Sequence, residues 1–587
     1  MNLKRTNTCG ELEKKDIKKE VVLSGWTQSS RDHGSIIFID LRDRYGLTQI
    51  VFDPEHDKKT HKEAGALRRE DVITVKGTVR ARGKGLENPK LKTGEIEVLV
   101  NDIEILSKAD TPALEIDDRI EANEETRLKY RYLDLRRPIM QRHLQIRHNA
   151  AMAAREYLNK NSFLEIETPL LVRATPEGAR DYIVPSRTNP GKFYALPQSP
   201  QIYKQLLMVS GCDKYYQLAR CLRDEDLRAD RQPEHTQIDM EMSFVDANDV
   251  MEKVEGLYKH IMKRVLNVDI KYEFPRIPYN EAIEKYGTDK PDLRFGLELI
   301  DVTDIAKKSE FKVFQSVEKI KCINPPDKFS RKEIDALIDF AISIGSKGMA
   351  WMRVTEKGLE SNIAKYFNNE TQKKLLEKTK AKKGSILFFV ADEAKKVNDI
   401  LSKLRIETGK RLKLVNDKDF KFCWIVDFPL FEWNEDEKRW MPSHHIFTAP
   451  KKEHIEFLDK DPRKVYADLY DLVLNGLELG SGSVRETNPK TQEKLMKVIG
   501  LSHEQAQKKF GFMMEAFKYG TPPHAGIGLG FDRIVALMCG YNDIREIIAF
   551  PKNKNAECPM DGSPNDVPDE QLKELNIKLD LVKKGGS

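Results

Sequence analysis

The chain has 587 residues, a length that predicts several domains. Apolar residues make up 40% of the chain and charged residues 33%, which is typical of globular proteins and excludes a disordered or fibrous chain. The net charge is +5, from 99 basic and 94 acidic residues, so the overall charge permits a polyanionic partner without demanding one.

Two absences bear on where the protein works. The sequence has no run of about 20 apolar residues, the length that spans a bilayer, and no apolar core follows its charged N-terminal residues. We therefore expect neither a membrane span nor a secretory signal. The seven cysteines are scattered and form no Cys-x-x-Cys pair, which argues against a disulfide framework or a zinc knuckle and predicts a reducing cytoplasm.

Residues 1–107 have the pattern of short strands separated by glycine-containing turns. Runs rich in β-branched residues lie at 21–26, 36–41, 47–52, 72–79 and 96–100. Five strands of this size predict a small barrel of the oligonucleotide-binding type. Composition alone leaves any other small β-barrel or sandwich open.

The rest of the chain predicts one α+β domain that an insertion interrupts. A polar hinge at 108–138 leads to Pro138, which opens a helical pattern over 139–159, and strands and helices then mix up to residue 284. Residues 285–420 differ, because lysine-rich amphipathic stretches alternate there with apolar runs and no candidate chemical site is visible. The first pattern resumes at 421–561, and 562–587 is a loose tail.

The most informative stretch is the strand pattern at 236–244. Gln237, Asp239 and Glu241 alternate strictly with apolar residues, so they face the same way. A second strand pattern ends at Arg223, and a loop crowded with charges joins the two. A hairpin with a solvated polar face is the simpler interpretation. The acids, the glutamine and the flanking arginine favour a groove that binds a polar, charged ligand.

Three further segments are candidates for chemistry. Ser199 suits an N-cap and Pro200 a first helical position, which places Gln201 and Lys204 on one helix face. Acidic side chains near a glycine-kinked strand, Asp471 and residues 478–485, can hold Mg²⁺ against phosphate oxygens. Alternating glycines at 526–530 leave room for a flat ring or a nucleotide, and no Walker-type loop exists in the chain.

Taken together, three of these segments resemble the signature motifs of the class II aminoacyl-tRNA synthetases. They are residues 163–170 around Pro169, Arg223-Asp224-Glu225 and residues 528–533. Over nearly its whole length the chain is similar to the bacterial-type aspartyl-tRNA synthetases. The resemblance implies an α+β fold with an N-terminal OB-fold barrel, a catalytic domain on an antiparallel sheet, and an inserted α+β domain like the GAD domain of bacterial members.

The resemblance also implies a reaction. L-Aspartate is activated by ATP to aspartyl-adenylate with release of diphosphate, and is then transferred to the 3′ end of tRNA(Asp) with release of AMP. A carboxylate must meet a phosphate, so fixed cations are needed. Arg223 is implied to bridge the two anions and Arg533 to hold the γ-phosphate. The other residues implied to contact ATP are Asp224, Glu225, Gln232, Glu478, Gly530, Phe531 and Asp532, and those implied to hold Mg²⁺ are Asp471, Glu478 and Ser481.

By the same resemblance, charge selects the amino acid. Lys204 and Arg485 are implied to bind the side-chain carboxylate of aspartate, while Glu177, on a closing loop, and Asp239 accept from its ammonium group. Leaving a buried charge of this kind unpaired costs about 2–5 kcal/mol, which disfavours asparagine. The residues implied to complete the pocket are Ser199, Gln201, Arg223 and His444.

In the barrel, the resemblance implies contacts with tRNA. Phe38 matches a position whose ring stacks on an anticodon base, a contact worth about 1–3 kcal/mol. The other implied tRNA contacts are Arg31, His33, Gln49, Glu97 and Arg228. Many members that charge only tRNA(Asp) have leucine where this chain has His33. His33 and the glycine-rich loop at Gly83 resemble non-discriminating enzymes, so we hold it as a hypothesis that tRNA(Asn) is also aspartylated.

Several alternatives remain from the sequence. An asparaginyl-tRNA synthetase or an AMP-forming asparagine synthetase would share the catalytic fold, although the latter lacks an anticodon barrel and the former normally lacks the insertion. A non-catalytic, RNA-binding paralogue is a third reading, which the intact charged motifs disfavour. Pro169 and the helix before it match the segment that forms the dimer interface in this class, so the resemblance implies a homodimer.

Overall fold

The computed structural model describes residues 4–119, 122–174, 179–227, 229–416 and 418–581. The chain divides into two compact units, Met1–Gln145 with Ile548–Asn565, and Ile146–Ile547 with Asp566–Ser587. Within the described ranges, no helix has both the length and the apolar character needed to cross a membrane.

The first unit contains a closed five-stranded barrel, which confirms the predicted one. Its elements are β1 (Glu20–His33), β2 (Ile36–Asp43), β3 (Gly46–Phe52), α1 (Lys58–Ala64), β4 (Val72–Ala81) and β5 (Ile96–Ser107). The strand order is β1-β2-β3-β5-β4, with β3 and β5 parallel. Alternate residues such as Leu23, Ile39 and Ile50 are fully buried inside the barrel, since successive side chains of a strand face opposite ways.

Three helices follow the barrel, and a buried carboxylate organises them. They are α2 (Glu124–Lys129), α3 (Arg131–Asp134) and α4 (Pro138–Lys160). Asp134 is fully buried and pairs with Arg127 at 3.2 Å, Arg131 at 2.6 Å and Arg137 at 3.0 Å. As predicted, α4 begins at Pro138, whose missing N–H has no partner to lose in the first turn of a helix.

The second unit begins with the first part of its large sheet. Its elements up to residue 286 are β6 (Leu164–Glu165), β7 (Ile183–Pro185), β8 (Phe193–Ala195), α5 (Gln201–Val209), β9 (Lys214–Leu222), β10 (Glu234–Ser243), α6 (Ala247–Leu266), β11 (Arg276–Pro278) and α7 (Tyr279–Tyr286). Helix α5 begins one residue later than predicted, with Pro200 and not Ser199 at the N-cap, because the proline ring turns the chain before the first helical residue. The Ser199 hydroxyl still accepts from the Gln201 N–H at 3.4 Å.

The region between α7 and β17 (Phe422–Val426) forms a sheet of its own. Its elements are β12 (Ile300–Asp301), α8 (Thr303–Ala306), α9 (Lys312–Gln315), β13 (Lys319–Ile323), α10 (Arg331–Ser343), β14 (Ala350–Thr355), β15 (Gly358–Glu360), α11 (Asn369–Thr379), β16 (Ile386–Asp392) and α12 (Ala394–Arg411). The order in this five-stranded sheet is β12-β13-β16-β14-β15. Buried residues such as Phe388 and Leu404 belong to a hydrophobic core formed entirely by this region.

The chain then returns to the large sheet. The remaining elements are β17 (Phe422–Val426), β18 (Phe431–Asn434), β19 (Arg439–Pro442), β20 (Leu469–Leu474), β21 (Leu477–Val484), α13 (Pro489–Val498), α14 (His503–Ala516), β22 (His524–Gly530), α15 (Phe531–Met538) and α16 (Asp569–Glu574). The eight-stranded order is β11-β17-β20-β21-β22-β10-β9-β6, and its central strands are antiparallel. Strands β11 and β17 pair in parallel although the insertion separates them in sequence.

Candidate active site

A cleft of about 510 Å³ lies over the central strands of the large sheet. Residues of strands β10, β21 and β22 and of helices α5 and α15 line its walls, and β22 contributes the glycines Gly528 and Gly530. Stretches that are far apart in sequence therefore meet in one place. The predicted site residues that line the cleft are Ser199, Gln201, Lys204, Arg223, Glu225, Gln232, Asp239, His444, Glu478, Ser481, Arg485, Gly530, Asp532 and Arg533.

Other predicted residues have different positions. Phe531 and Asp471 are buried, each 2% exposed, and are not among the residues that line the cleft. Asp224 is exposed next to Arg223, and it too is absent from the lining. Two predicted residues lie outside the described part of the chain, namely Glu177 and Arg228.

One end of the cleft is built on a buried network of four charges. Lys204 Nζ lies 2.9 Å from Asp239 Oδ1 and 3.2 Å from Glu241 Oε2. Arg485 Nε donates to Glu241 Oε1 at 2.8 Å, and its Nη2 donates to Oε2 at 3.1 Å. None of the four side chains is more than 4% exposed. Two cations and two carboxylates balance, so this end carries no net charge from the network.

The network leaves specific polar atoms without partners. Asp239 Oδ2 and Gln201 Nε2 are buried and make no hydrogen bond within the described structure, although both residues line the cleft. Burial raises the pKa of Asp239 and the Lys204 ammonium opposes that effect. Burial also raises the pKa of Glu241, but Arg485 and Lys204 outweigh it and lower the value to about 2. An acceptor and a donor are thus left for a ligand that carries both kinds of group.

Of the three alternating glycines of β22, Gly528 and Gly530 line the cleft, whereas Gly526 serves a different purpose from the predicted one. A Cβ added at Gly526 would lie 1.9 Å from Glu241 Oε2. The space that we expected to receive a ring or a nucleotide is therefore filled at this position by the Glu241 side chain. Gly526 is needed because a larger residue would push this carboxylate away from Arg485.

Arg223 is a half-buried cation without a counter-ion. Its Nε donates to the Gln198 carbonyl at 3.3 Å, and no carboxylate of the described residues forms an ion pair with it. Its backbone N–H donates to the Pro233 carbonyl at 2.8 Å, which fixes the end of β9. A guanidinium in a cleft with its charge uncompensated favours the binding of an anion.

At the other end of the cleft, Glu478 lies between two cations. Lys290 Nζ lies 2.9 Å from Glu478 Oε2, and Arg533 Nη1 lies 3.9 Å from Oε1. Arg533 Nη1 also donates to the Glu478 carbonyl at 2.8 Å, and its Nη2 lies 3.2 Å from Asp230 Oδ2. These side chains are 22–41% exposed, so water screens their charges more than those of the buried network.

Asp532, next to Arg533, has its carboxylate occupied inside the protein. It accepts from the Thr236 N–H at 2.7 Å and pairs with Arg147 of α4. The carboxylate therefore ties the first turn of α15 to strand β10.

Asp471 and Glu478 are the predicted carboxylates for a metal ion. Asp471 Oδ2 lies 3.6 Å from His444 Nε2, while its Oδ1 is buried without a hydrogen-bond partner in the described structure. Burial alone would lower the pKa of His444, but its contact with Asp471 raises it. Ser481 stands opposite Asp471 across β20 and β21. The described residues contain no group of three or more His, Cys, Asp or Glu placed to hold a metal ion by themselves.

The predicted tRNA-binding residues of the barrel are joined by hydrogen bonds. Arg31 Nη2 donates to Asp40 at 3.0 Å and to Gln49 Oε1 at 3.3 Å. Gln49 Nε2 donates to Glu97 Oε2 at 2.8 Å, and Glu97 Oε1 accepts from Arg80 Nε at 2.7 Å. This chain of contacts crosses β1, β2, β3, β4 and β5, so it gives one face of the barrel a fixed polar surface.

His33 and Phe38 lie at the same face. Their rings make an edge-to-face contact with centroids 6.5 Å apart, across the pairing of β1 with β2. Gly83 lies in the loop between β4 and β5, where an added Cβ would meet Leu86 Cδ1 at 3.1 Å. The structure thus brings His33 to the predicted base-stacking ring, and it shows no contact of Gly83 with either residue.

Sequence reasoning gave no role to several residues of the site. Glu241 neutralises Lys204 and Arg485 without being among the residues that line the cleft; the strand pattern placed it beside Asp239 on one face of β10 but did not assign its function. His235 lines the cleft, and burial together with nearby arginines lowers its pKa to about 3. No sequence pattern pointed to Lys290, because it belongs to residues 285–420, where we saw no candidate chemical site.

Comparison with known proteins gives two family matches. A model described as tRNA synthetases class II (D, K and N) matches residues 123–554, and one described as an OB-fold nucleic acid binding domain matches residues 21–106. A protein of Caldanaerobacter subterraneus subsp. tengcongensis named aspartate–tRNA(Asp/Asn) ligase is 53% identical over 585 residues, 99% of each chain. A protein of Ruminiclostridium cellulolyticum named aspartate–tRNA ligase is 50% identical over 584 residues, 98% of each chain.

Solved structures with a similar fold are also known. Asparaginyl-tRNA synthetase from Pyrococcus horikoshii, complexed with asparaginyl-adenylate, matches with a TM-score of 0.59 at 21% identity and covers 94% of this chain and 98% of that one. Aspartyl tRNA synthetase from Entamoeba histolytica matches with a TM-score of 0.59 at 19% identity, covering 94% and 92%. At these identities the likeness concerns the fold alone, and it confirms the predicted α+β architecture.

Proposed function

We propose that this chain, which belongs to the class II tRNA synthetases, ligates L-aspartate to tRNA with ATP. The observation that carries the proposal is the division of one cleft into a charge-balanced buried pocket and a nucleotide side with exposed cations. Relatives that are 50–53% identical over almost the whole chain are named for aspartate. The alternative of an enzyme for asparagine has only the fold-level likeness to support it.

In the first step, an oxygen of the α-carboxylate of aspartate attacks the α-phosphorus of ATP. The new acyl–phosphate bond forms as the bond to the β-phosphate breaks, and diphosphate leaves. Arg223, which forms no ion pair with any described residue, lines the same cleft and neutralises both anions as they approach. Arg533 holds the γ-phosphate. Catalysis comes from position and charge, with no covalent enzyme intermediate.

Aspartate is recognised at the buried end. Its side-chain carboxylate binds Lys204 and Arg485, which Asp239 and Glu241 hold in place, and its ammonium donates to the free Oδ2 of Asp239. The residues that complete the pocket in this proposal are Ser199, Gln201, His444 and Glu177. Glutamate is too long for this pocket. The neutral amide of asparagine lacks the charge that attracts the aspartate carboxylate to Lys204 and Arg485, so we expect asparagine to bind more weakly.

Mg²⁺ fits the carboxylates at the nucleotide side. The unpartnered, buried Oδ1 of Asp471 and the cleft-lining Glu478 are hard oxygen donors of the kind that Mg²⁺ prefers, together with phosphate oxygens and water. Asp471, Glu478 and Ser481 would hold the ion, which when bound neutralises phosphate charge. Among the described residues no group of three or more His, Cys, Asp or Glu is placed to hold a metal ion, so phosphate oxygens and water would complete its coordination.

In the second step, the 3′-terminal hydroxyl of tRNA attacks the acyl carbon of the adenylate, the ester forms and AMP leaves. The barrel, residues 1–107, binds the anticodon through Phe38 and the polar surface of Arg31, Gln49 and Glu97. Support for this assignment comes from the hydrogen bonds that already order these side chains. We also assign the protein to the cytoplasm, as a homodimer whose interface includes Pro169.

His33 and the Gly83 loop are proposed to allow tRNA(Asn) as a second substrate. The relatives do not decide between one tRNA substrate and two, since some are named for tRNA(Asp/Asn) and others are not. The test is the charging of purified tRNA(Asp) and tRNA(Asn) transcripts under one salt condition, because phosphate contacts depend strongly on salt. We expect both to be charged and His33→Leu to reduce charging of tRNA(Asn). A hundredfold preference of the natural protein for tRNA(Asp) would refute the proposal.

The core function is tested by ATP–diphosphate exchange with aspartate or asparagine. We expect exchange with aspartate only, and its loss in Arg223→Ala. Exchange that requires asparagine would identify an asparaginyl enzyme. Unchanged exchange in Arg223→Ala would remove the proposed role of this cation, and absence of exchange with either amino acid would favour a non-catalytic RNA-binding protein.

A further inference from the structure

Lys290 reaches the nucleotide side of the cleft from a segment that belongs to neither sheet. We call residues 287–299, between α7 and β12, the connecting segment. Lys290 is the only residue of this segment that lines the cleft within the described structure, and its Nζ lies 2.9 Å from Glu478 Oε2. It is therefore a cation supplied to the active site by the start of the inserted region.

The connecting segment is anchored by a buried arginine of the insertion. Arg405, on α12, is 1% exposed and donates to the carbonyls of Asp292 and Phe295 at 2.8 Å each and of Gly296 at 3.1 Å. Its guanidinium also stacks over the Phe295 ring at 4.3 Å. A lysine could not supply these several donors in fixed directions.

The other side of the segment rests on the large sheet. A Cβ added at Gly476, in the turn between β20 and β21, would lie 3.4 Å from Asp292 Cβ and 3.8 Å from the Lys290 carbonyl oxygen. The backbone that carries Lys290 is thus held between Arg405 of the insertion and the hairpin that carries Glu478. This explains why a 41% exposed lysine has a defined position.

Two cations lie close to the Glu478 carboxylate. Its Oε2 pairs with Lys290 at 2.9 Å, while its Oε1 stands 3.9 Å from Arg533 Nη1. Without Lys290, the nearest described cation for this carboxylate is Arg533. Arg533 already pairs with Asp230 at 3.2 Å, so a full ion pair with Glu478 would place a second carboxylate on the guanidinium that the proposed function assigns to the γ-phosphate.

We propose that Lys290 is a positioning residue that holds the Glu478 carboxylate away from Arg533, and that Arg405 of the insertion fixes Lys290 in that place. The inference rests on the proposed function and assigns the insertion a part in nucleotide binding. Lys290 acts through Glu478 and keeps Arg533 available for phosphate.

The test is equilibrium binding of ATP with Mg²⁺, measured by calorimetry without aspartate. Because the pair is half-exposed, we expect Lys290→Met to weaken ATP binding about fivefold and Lys290→Arg to change it less than about twofold. The KM for aspartate should stay constant. The matched control is Lys285→Met, since Lys285 forms a 2.8 Å pair with Glu281 on α7, 44% exposed and away from the cleft; it should bind ATP like the natural protein.

A double-mutant cycle separates action through Glu478 from direct contact with phosphate. In a Glu478→Gln background the carboxylate can no longer pair with Arg533, so Lys290→Met should then change ATP binding by less than about twofold. A fivefold loss that persists in this background would overturn the proposal, and so would unchanged binding by Lys290→Met alone. If the natural protein binds no ATP, the proposed function fails instead.

The role of the insertion is tested by Arg405→Lys, which keeps a cation but loses the fork of donors. We expect ATP binding to weaken by about twofold to fivefold, measured below the unfolding transition of the variant. Arg411→Lys is the matched control, because Arg411 lies on the same helix and pairs at 2.8 Å with Glu407. ATP binding by Arg405→Lys equal to that of the control would show that the insertion does not set the position of Lys290.

Discussion

Both ends of the cleft hold cations next to carboxylates, but they differ in how far those charges are buried. The end proposed to bind aspartate, Lys204, Asp239, Glu241 and Arg485, is buried, with every side chain at most 4% exposed and every charge balanced. The end proposed to bind the nucleotide, Lys290, Glu478, Arg533 and Asp230, is 22–41% exposed. Buried charges are costly to leave unpaired, whereas half-solvated ones are not. Changes at the aspartate end should therefore affect folding and selectivity together, and changes at the nucleotide end should affect binding alone.

The largest effect is expected at Lys204. Lys204→Met removes the cation between Asp239 and Glu241 and leaves two buried carboxylates with one remaining partner, Arg485. We expect aspartate-dependent exchange to be lost and the protein to be destabilised by about 3–5 kcal/mol, the usual cost of breaking a buried ion pair. Denaturant unfolding and exchange assays measure the two outcomes.

A surface lysine provides the control for this variant. Lys374 pairs with Glu370 on α11, with the two side chains 52% and 75% exposed. Lys374→Met should change neither the unfolding transition nor the exchange rate, because exposed pairs contribute little. If Lys204→Met unfolds at the same denaturant concentration as Lys374→Met, the contrast between the two ends is wrong.

Arg223 differs from the buried network because it forms no ion pair with any described residue, so replacing it should change activity without changing stability. Arg223→Lys should lower the exchange rate about 10²- to 10³-fold, a typical loss for one transition-state donor, without lowering the unfolding temperature. Arg220→Lys is the control on the same strand, because Arg220 pairs with the surface carboxylate Glu234. A drop in the unfolding temperature specific to Arg223→Lys would mean that this cation is structural.

The sequence and the structure agree best where periodicity decides the outcome. The barrel strands, the Pro138 helix and the polar face of β10 follow from local pattern, because side-chain alternation and a missing N–H act within a few residues. The residues themselves indicated a groove for a polar, charged ligand at β10, but the roles of the residues in the cleft were predictable only through family resemblance. The contacts of Lys290 and Arg405 were not predictable, because they join residues separated by more than a hundred positions and depend on how the insertion packs.

A pH titration sharpens the contrast at Glu241. Its pKa falls from 4.5 to about 2 in the folded protein because Arg485 and Lys204 outweigh burial. The stabilisation is therefore present above pH 4.5 and is lost as the pH falls towards 2. At roughly 1.4 kcal/mol per pKa unit, it is on the order of 3 kcal/mol.

The measurement is the unfolding temperature between pH 5 and 3 for the natural protein and for Glu241→Gln. Asp239 has a raised pKa and contributes with the opposite sign. Because Glu241 is one of the charges that raise it, the difference between the two proteins reports Glu241 together with its effect on Asp239. We expect the natural protein to lose more stability than the variant as the pH falls. Parallel curves would show that folding does not lower the pKa of Glu241.

The smallest effect of a substitution is expected in the barrel, which contributes no described residue to either end of the cleft. Phe38→Ala removes the ring proposed to stack on an anticodon base, so the KM for tRNA should rise about tenfold, within the range of one stacking contact. Phe38→Tyr keeps the ring and should restore tRNA binding. Exchange needs no tRNA, so both variants should exchange at the natural rate. If Phe38→Ala instead slows exchange while its KM for tRNA is unchanged, the ring supports the fold and does not read the anticodon, and discrimination by His33 beside it loses its basis.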